Sequence, residues 1–72
     1  MKIILYSNDC PRCKVLEMKL NQKGVDFEIN HNLDDLLKAA ETLGVSEAPI
    51  LGVDNQLLNF VSANQFLNDL KN

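Results

Sequence analysis

The alternation of apolar and polar positions along the chain predicts four short strands and three helices. Short apolar runs bounded by polar residues, glycine or proline are typical of strands, whereas apolar residues spaced three and four apart are typical of helices. The predicted strands cover residues 2–6, 25–29, 50–53 and 56–60. The predicted helices begin at Pro11, at Leu33 and just after Ser62. The predicted order is therefore β-α-β-α-β-β-α.

The ends of the predicted helices carry recognisable signals. Pro11 suits the first position of a helix, because its missing N–H would have no partner there. Asn32 is a candidate N-cap for the second helix, and Gly24 and Gly44 are candidate stops for the first two. Ser62, with a glutamine three residues later, forms a capping-box pattern before the third helix.

The apolar faces of the helices and the strand order predict an α/β fold. Strand–helix–strand units favour parallel pairing, whereas the hairpin around residues 54–55 must be antiparallel. We therefore expect a mixed four-stranded sheet with helices on its faces, and we expect Met18 to fill a gap in the core. The predicted apolar helix positions are Val15, Leu16, Met18 and Leu20, then Leu33, Leu36, Leu37, Ala40 and Leu43, and finally Ala63, Phe66, Leu67 and Leu70.

Length and charge narrow the classes of partner. The chain has 72 residues and a formal net charge of −3, which predicts a single domain over residues 1–72. Its 7 Lys and Arg residues are scattered, so nucleic acid and anionic membranes are not expected partners. The apolar runs are too short for a membrane span or a signal peptide. A cytoplasmic monomer is the expectation.

The two cysteines stand close together where the first strand meets the first helix, in the sequence Cys10-Pro11-Arg12-Cys13. A structural disulfide between them would close a very small loop and remove little entropy from the unfolded chain. The spacing suits a dithiol that is oxidised and reduced as part of its function. A metal site and an inert pair remain as alternatives.

The position of the pair predicts two unequal thiols. Unpaired N–H groups and the helix dipole stabilise negative charge at a helix start, so we expect a lowered pKa for Cys10. Arg12 adds positive charge nearby and Asp9 partly opposes it, while Cys13 should be more shielded and more weakly acidic. We hypothesise that Cys10 attacks a disulfide and that Cys13 resolves the mixed disulfide, with Pro11 stiffening the turn.

Three segments together resemble the glutaredoxins, and more closely the glutaredoxin-like NrdH-redoxins. They are YSNDCPRC at residues 6–13, GVDFEIN at residues 24–30 and GVSEAPI at residues 44–50. The resemblance implies a thioredoxin fold with Cys10 as nucleophile and Cys13 as resolving thiol. It also implies that Pro49 follows a cis peptide bond and that the Ala48 backbone faces the substrate, although residues alone would favour trans. The implied activity is a dithiol–disulfide oxidoreductase that carries electrons to protein disulfides in cell redox homeostasis, and ribonucleotide reductase is a target suggested by resemblance alone.

Departures from the family pattern bear on the electron donor. Asn8 stands where glutathione-using members usually carry Lys or Arg, and residues 59–62 lack their Gly-Gly-x-Asp stretch. Asn8 and the uncharged Ser62 are therefore the substrate-binding candidates at these positions, and Arg12 is a replacement source of positive charge. We expect glutathione to be a weak co-substrate, a thioredoxin-reductase-type flavoprotein to be the favoured electron source, and no cofactor to be bound.

Other residues and another function class need separate tests. Tyr6 has two equally supported predicted roles, one in the core and one in support of the dithiol. His31 is expected in an exposed loop. The rival function is a metal or iron–sulfur carrier that uses Cys10 and Cys13 in a dimer. A closed tetrahedral zinc site needs four ligands, and the chain offers these two cysteines and a single histidine.

Overall fold

The computed structural model describes residues 1–70, and these form seven elements in the predicted order. The strands are β1 (Ile3–Tyr6), β2 (Glu28–Asn30), β3 (Ile50–Val53) and β4 (Gln56–Leu58). The helices are α1 (Pro11–Lys23), α2 (Leu33–Leu43) and α3 (Phe60–Asp69). Among these residues, none of the helices is both long enough and apolar enough to cross a membrane.

The strands form one mixed sheet in the order β2-β1-β3-β4. β1 is parallel to β2 and antiparallel to β3, and β3 is antiparallel to β4. The predicted α/β class and mixed four-stranded sheet are therefore confirmed. β2 is only three residues long and lies at the edge, as its alternation of apolar and acidic residues predicted.

A core lies on each face of the sheet. The larger core joins α1 and α3 to β1 and β3, and the smaller one joins α2 to the start of β3. Complete burial of one leucine side chain contributes about 1.5–3 kcal/mol, so a few such residues are decisive in a chain of this size. The larger core contains Ile3, Leu5, Leu16, Leu20, Leu51, Val53, Ala63 and Leu67, and the smaller one contains Leu36, Ala39, Ala40 and Ile50.

The predicted caps of the first two helices are confirmed. Cys10 is the N-cap of α1, and Asn32 is the N-cap of α2, where its side chain accepts a hydrogen bond from the Asp35 amide at 3.1 Å. Gly24 and Gly44 end these helices with φ of 68° and 80°, a backbone conformation that side chains with a Cβ rarely adopt.

The predicted start of the last helix is wrong. α3 begins at Phe60, and its N-cap is Asn59, whose side-chain oxygen accepts a hydrogen bond from the Ser62 amide at 2.8 Å. Ser62 therefore lies exposed in the first turn and caps nothing, and β4 ends at Leu58 instead of Phe60. Asparagine caps as well as serine, and the earlier start places Phe60 and Ala63 against the larger core.

Several predicted core positions on the helices are also exposed. Met18 is 60% exposed, so it does not fill a gap in the core. On α2, Leu33 and Leu37 are 61% and 57% exposed, and the buried face is formed by Leu36 with two alanines. The small alanine side chains allow close approach of α2 to the sheet, and the two exposed leucines lie one turn apart outside that contact.

Candidate active site

The two cysteines lie at the junction between β1 and α1. Cys10 has extended backbone angles (φ −71°, ψ 164°), and its Sγ accepts a hydrogen bond from the Cys13 amide at 3.1 Å. Pro11 occupies the first helical position, as predicted. Both thiols are free, with Cys10 half-buried and Cys13 only 1% exposed. An outer and an inner sulfur are therefore separated by one helical turn.

The loop before the dithiol is held by its own side chains. Asn8 Oδ1 accepts a hydrogen bond from the Cys10 amide at 3.2 Å and lies 3.4 Å from Cys13 Sγ. Ser7 is buried, and its Oγ accepts a hydrogen bond from the Asp9 amide at 3.1 Å. Asp9 has a positive φ of 63°, and its carboxylate lies 3.1 Å from His31 Nε2. The polar loop thus fixes the approach of the chain to Cys10.

A second segment faces the outer sulfur. The peptide bond between Ala48 and Pro49 is cis, as the family resemblance implied. The carbonyl oxygen of Ala48 lies 3.9 Å from Cys10 Sγ, and the Cys10 thiol donates to it. Pro49 itself is fully buried. The backbone of the chain just before β3 therefore forms one wall of the dithiol site.

A groove of about 550 Å³ extends from this wall. Its lining comes from Arg12, from the segment that joins α2 to β3, and from the start of α3. The Arg12 guanidinium lies over the Phe60 ring, 5.4 Å from its centroid, and 3.3 Å from a carboxylate oxygen of Glu47. Because Arg12 and Glu47 are both largely exposed, their pairing adds little stability. Its effect is to oppose the positive charge that Arg12 offers to a ligand.

The electrostatics of the two thiols differ from the expectation. Burial raises the pKa of the Cys10 thiol, and its hydrogen bond to the Cys13 side chain raises that pKa further. Burial also raises the pKa of the Cys13 thiol, but hydrogen bonds from the Cys10 side chain, the Asn8 amide and the Ser7 hydroxyl outweigh it and lower that pKa. The prediction of a lowered Cys10 pKa and a more weakly acidic Cys13 is therefore wrong. The inner sulfur is buried among hydrogen-bond donors, which sequence spacing does not reveal.

Comparison with known proteins agrees with this fold. A solved structure of NrdH-redoxin from Escherichia coli, a glutaredoxin-like protein with a thioredoxin-like activity profile, is similar with a TM-score of 0.72 and 28% identity. The similarity covers 100% of this chain and 97% of that one. The chain is therefore similar to a glutaredoxin-like redox protein over its whole length. No protein-family model matches it, and neither does any curated protein sequence.

Most of the residues predicted for the site of this glutaredoxin-like protein do lie together. Those around the outer sulfur are Asn8, Cys10, Pro11, Arg12 and Ala48, with Cys13 and Pro49 buried behind them. Tyr6 instead packs in the smaller core on the α2 face, opposite the face that carries α1. The groove lining from α3 comes from residues 59–61, whereas Ser62 lies just beyond them.

Some residues of the site carry no usable signal in the sequence. Glu47 reaches Arg12 only because the chain folds, and the two are 35 positions apart. Nothing in the sequence around Ser7 indicates that the fold places its hydroxyl beside Cys13. Phe60 packs on the larger core, and its ring also faces Arg12. His31 is exposed, as predicted, but the sequence did not predict its contact with Asp9.

The metal alternative finds no support in the described part of the chain. Among residues 1–70, no group of three or more His, Cys, Asp or Glu side chains lies close enough to hold a metal ion. Within one chain, Cys10 and Cys13 therefore offer two sulfur ligands without the further ligands that a closed site needs.

Proposed function

We propose that this glutaredoxin-like protein is a dithiol–disulfide oxidoreductase that reduces disulfides in other proteins. The observation that carries the proposal is the stacking of two free thiols at one helix start, the outer one facing the Ala48 carbonyl and the inner one buried behind it. This arrangement suits stepwise exchange, because a substrate disulfide reaches only the outer sulfur.

The first step joins the substrate to Cys10. The dithiol starts singly ionised with the charge on Cys13, and the proton of the Cys10 thiol passes to Cys13 Sγ, which leaves Cys10 as the thiolate. This thiolate attacks one sulfur of the substrate disulfide, the substrate S–S bond breaks, and the leaving sulfur departs with the electron pair as a thiolate. The product is a mixed disulfide between Cys10 and the substrate.

The second step releases the substrate. Cys13 gives up its proton to the thiolate that left in the first step, and the resulting Cys13 thiolate attacks Cys10 Sγ. The bond between Cys10 and the substrate breaks, and the second substrate sulfur leaves with the electron pair and takes a proton from water. Two electrons have then moved from the dithiol to the substrate, and the protein holds a disulfide between Cys10 and Cys13.

The groove beside Cys10 would accept the polypeptide that carries the disulfide. Backbone groups at Ala48 can hydrogen-bond to an extended substrate segment, which gives affinity without requiring a particular sequence. The Phe60 ring and the stem of Arg12 provide apolar contact area beside it. Asn8 and Ser62 stay predictions as substrate-binding residues, and in the protein alone the Asn8 oxygen already contacts the dithiol.

A flavoprotein of the thioredoxin reductase type is the electron donor we propose. Glutathione carries two carboxylates, and the site offers Arg12 for them with Glu47 3.3 Å away. We therefore expect glutathione to be a poor reductant. The dithiol itself holds the two electrons, so no bound cofactor is needed. A reducing cytoplasm suits such a cycle, and ribonucleotide reductase is one candidate target.

A paired reductase assay tests the proposal. Reduction of insulin is followed with NADPH and thioredoxin reductase, and separately with NADPH, glutathione and glutathione reductase. Turnover is expected mainly with the flavoprotein alone. Activity confined to glutathione would overturn the choice of donor, and activity with neither would overturn the proposed function.

Two single-cysteine variants test the roles of the sulfurs. Cys10→Ser is expected to abolish turnover, whereas Cys13→Ser should accumulate a mixed disulfide that mass spectrometry detects. Asn21→Ala, an exposed position later on α1, is the control and should retain full activity. Retained turnover in Cys10→Ser would refute the assignment of the nucleophile.

A further inference from the structure

The side-chain oxygen of Asn8 contacts both halves of the dithiol. It lies 3.2 Å from the Cys10 backbone nitrogen and 3.4 Å from Cys13 Sγ. The Cys10 amide is only a donor, so the Asn8 atom that faces it must be the carbonyl oxygen and not the amide nitrogen. The backbone hydrogen bond therefore fixes the orientation of the Asn8 side chain.

This fixed oxygen distinguishes the two protonation states of Cys13. An amide oxygen only accepts hydrogen bonds, so its contact with Cys13 Sγ is favourable when that sulfur carries a proton and repulsive when it is a thiolate. The Ser7 hydroxyl and the amides of Asn8 and Cys10 act in the opposite sense, because they donate to Cys13 and stabilise its thiolate. The position of the single negative charge is thus set by opposing groups around one sulfur.

We propose that Asn8 is a positioning residue that favours the form of the singly ionised dithiol in which Cys10 is the thiolate and Cys13 is the thiol. The inference rests on the proposed function. The two forms carry the same number of protons and differ only in which sulfur holds the proton: the Cys10 thiol and the Cys13 thiolate become the Cys10 thiolate and the Cys13 thiol. In the second form the Cys13 proton turns toward Asn8 Oδ1, and the Cys10 thiolate is left to attack.

Charged neighbours surround the dithiol and stay constant when only Asn8 is changed. Asp9 lies in the same loop, with His31 from the β2–α2 connection at its carboxylate. Arg12 lies on α1, and Glu47 approaches from the segment before β3. Substitutions at Asn8 therefore change the local acceptor without removing any of these charges.

Two variants at Asn8 separate its acceptor role from a general structural role. Asn8→Ala removes the oxygen, and Asn8→Asp keeps an oxygen acceptor on a side chain of the same size. Asn21→Ala is the matched control for loss of an asparagine side chain elsewhere. The share of negative charge on each sulfur is read from the ¹³C shifts of the two cysteine Cβ atoms during a pH titration. The rate of Cys10 alkylation by iodoacetamide is measured over the same pH range.

The expected results differ in direction between the variants. In Asn8→Ala the share of the charge on Cys13 should increase further at the expense of Cys10, and Cys10 alkylation at a pH where the dithiol is singly ionised should slow about two- to tenfold, as expected for one lost hydrogen bond. In Asn8→Asp the share of the charge on Cys10 should not fall, although ionisation of the pair should begin at higher pH because of the added like charge. Asn21→Ala should match the unsubstituted protein.

Two outcomes would overturn the inference. The first is an Asn8→Ala protein whose charge distribution and alkylation rate equal those of the unsubstituted protein. The second is an Asn8→Asp protein in which the share of the charge on Cys13 increases, since the acceptor is still present there. If Asn8→Ala fails to fold, Asn8→Asp alone decides. Neither measurement requires turnover, so failure here is separate from failure of the proposed function, which the single-cysteine variants test.

Discussion

The N-cap of α3 gives a quantitative test of how the groove is built. Asn59→Ala removes the side-chain oxygen that accepts the Ser62 amide at 2.8 Å. Loss of an N-cap of this kind costs about 0.5–2 kcal/mol, and about 1 kcal/mol is typical. For a domain of this size, 1 kcal/mol corresponds to a fall in Tm of about 4–8 °C. The effect is local, because the larger core beneath α3 is unchanged.

The assay compares this variant with one at the cap that sequence alone predicted. Thermal and urea unfolding are followed by circular dichroism with both cysteines reduced, for Asn59→Ala and for Ser62→Ala. The Ser62 hydroxyl is exposed and caps nothing, so its removal should change the free energy of unfolding by less than about 0.5 kcal/mol. A loss in Ser62→Ala that equals or exceeds the loss in Asn59→Ala would refute the start of α3 at Phe60.

Three further predictions concern the core, pH and the groove. Leu36→Ala should lower the free energy of unfolding by about 2–5 kcal/mol, because Leu36 is buried. Leu37→Gln should lower it by less than about 0.5 kcal/mol, because Leu37 is exposed. Equal losses in urea titrations would contradict the observed buried face of α2. The lowered Cys13 pKa means that the native protein binds fewer protons than the unfolded chain below the ordinary value of 9.0, so the free energy of unfolding of the reduced protein should rise with pH there. Urea titrations across this pH range should find the rise missing in Cys13→Ser, and a flat profile in the unsubstituted protein would contradict the assignment. Glu47→Gln removes the negative charge that opposes the Arg12 guanidinium, so KM for a glutathione mixed disulfide should fall about two- to fivefold. KM for hydroxyethyl disulfide, which has no carboxylates, should stay constant. Equal changes for both substrates would argue against a charge effect.

Local signals account for the features that sequence predicted well. A proline at a helix start, an asparagine before an apolar stripe and a glycine after one each act within a few residues, so Pro11, Asn32, Gly24 and Gly44 were placed correctly. The order of strands and helices follows from the same local patterns. The dithiol was placed at a helix start for the same reason.

Local sequence signals could not predict the features that depend on packing between elements. Ser62 and Asn59 are both good caps, and the choice between them is made by Phe60 and Ala63 on the core. Met18 lies on an apolar pattern, but within residues 1–70 it is left 60% exposed. The charge on the sulfurs depends on Ser7 and on other donors that surround Cys13 only after folding.

The cis peptide bond before Pro49 shows a second limit of prediction from local sequence. The residues alone favour trans, and the resemblance to glutaredoxin-like proteins reversed that preference. The correct expectation came from related sequences and not from the chemistry of the dipeptide.

The dithiol is supplied by the first part of the chain, whereas the wall at Ala48 and the start of α3 come from the second. During synthesis a ribosome therefore exposes both cysteines well before the segments that enclose them. If the protein reduces disulfides as proposed, a partly made chain carries the dithiol without the wall and the groove that would select substrates by shape or charge. Under the proposed function, discrimination between substrates would therefore require the complete chain with its last helix docked.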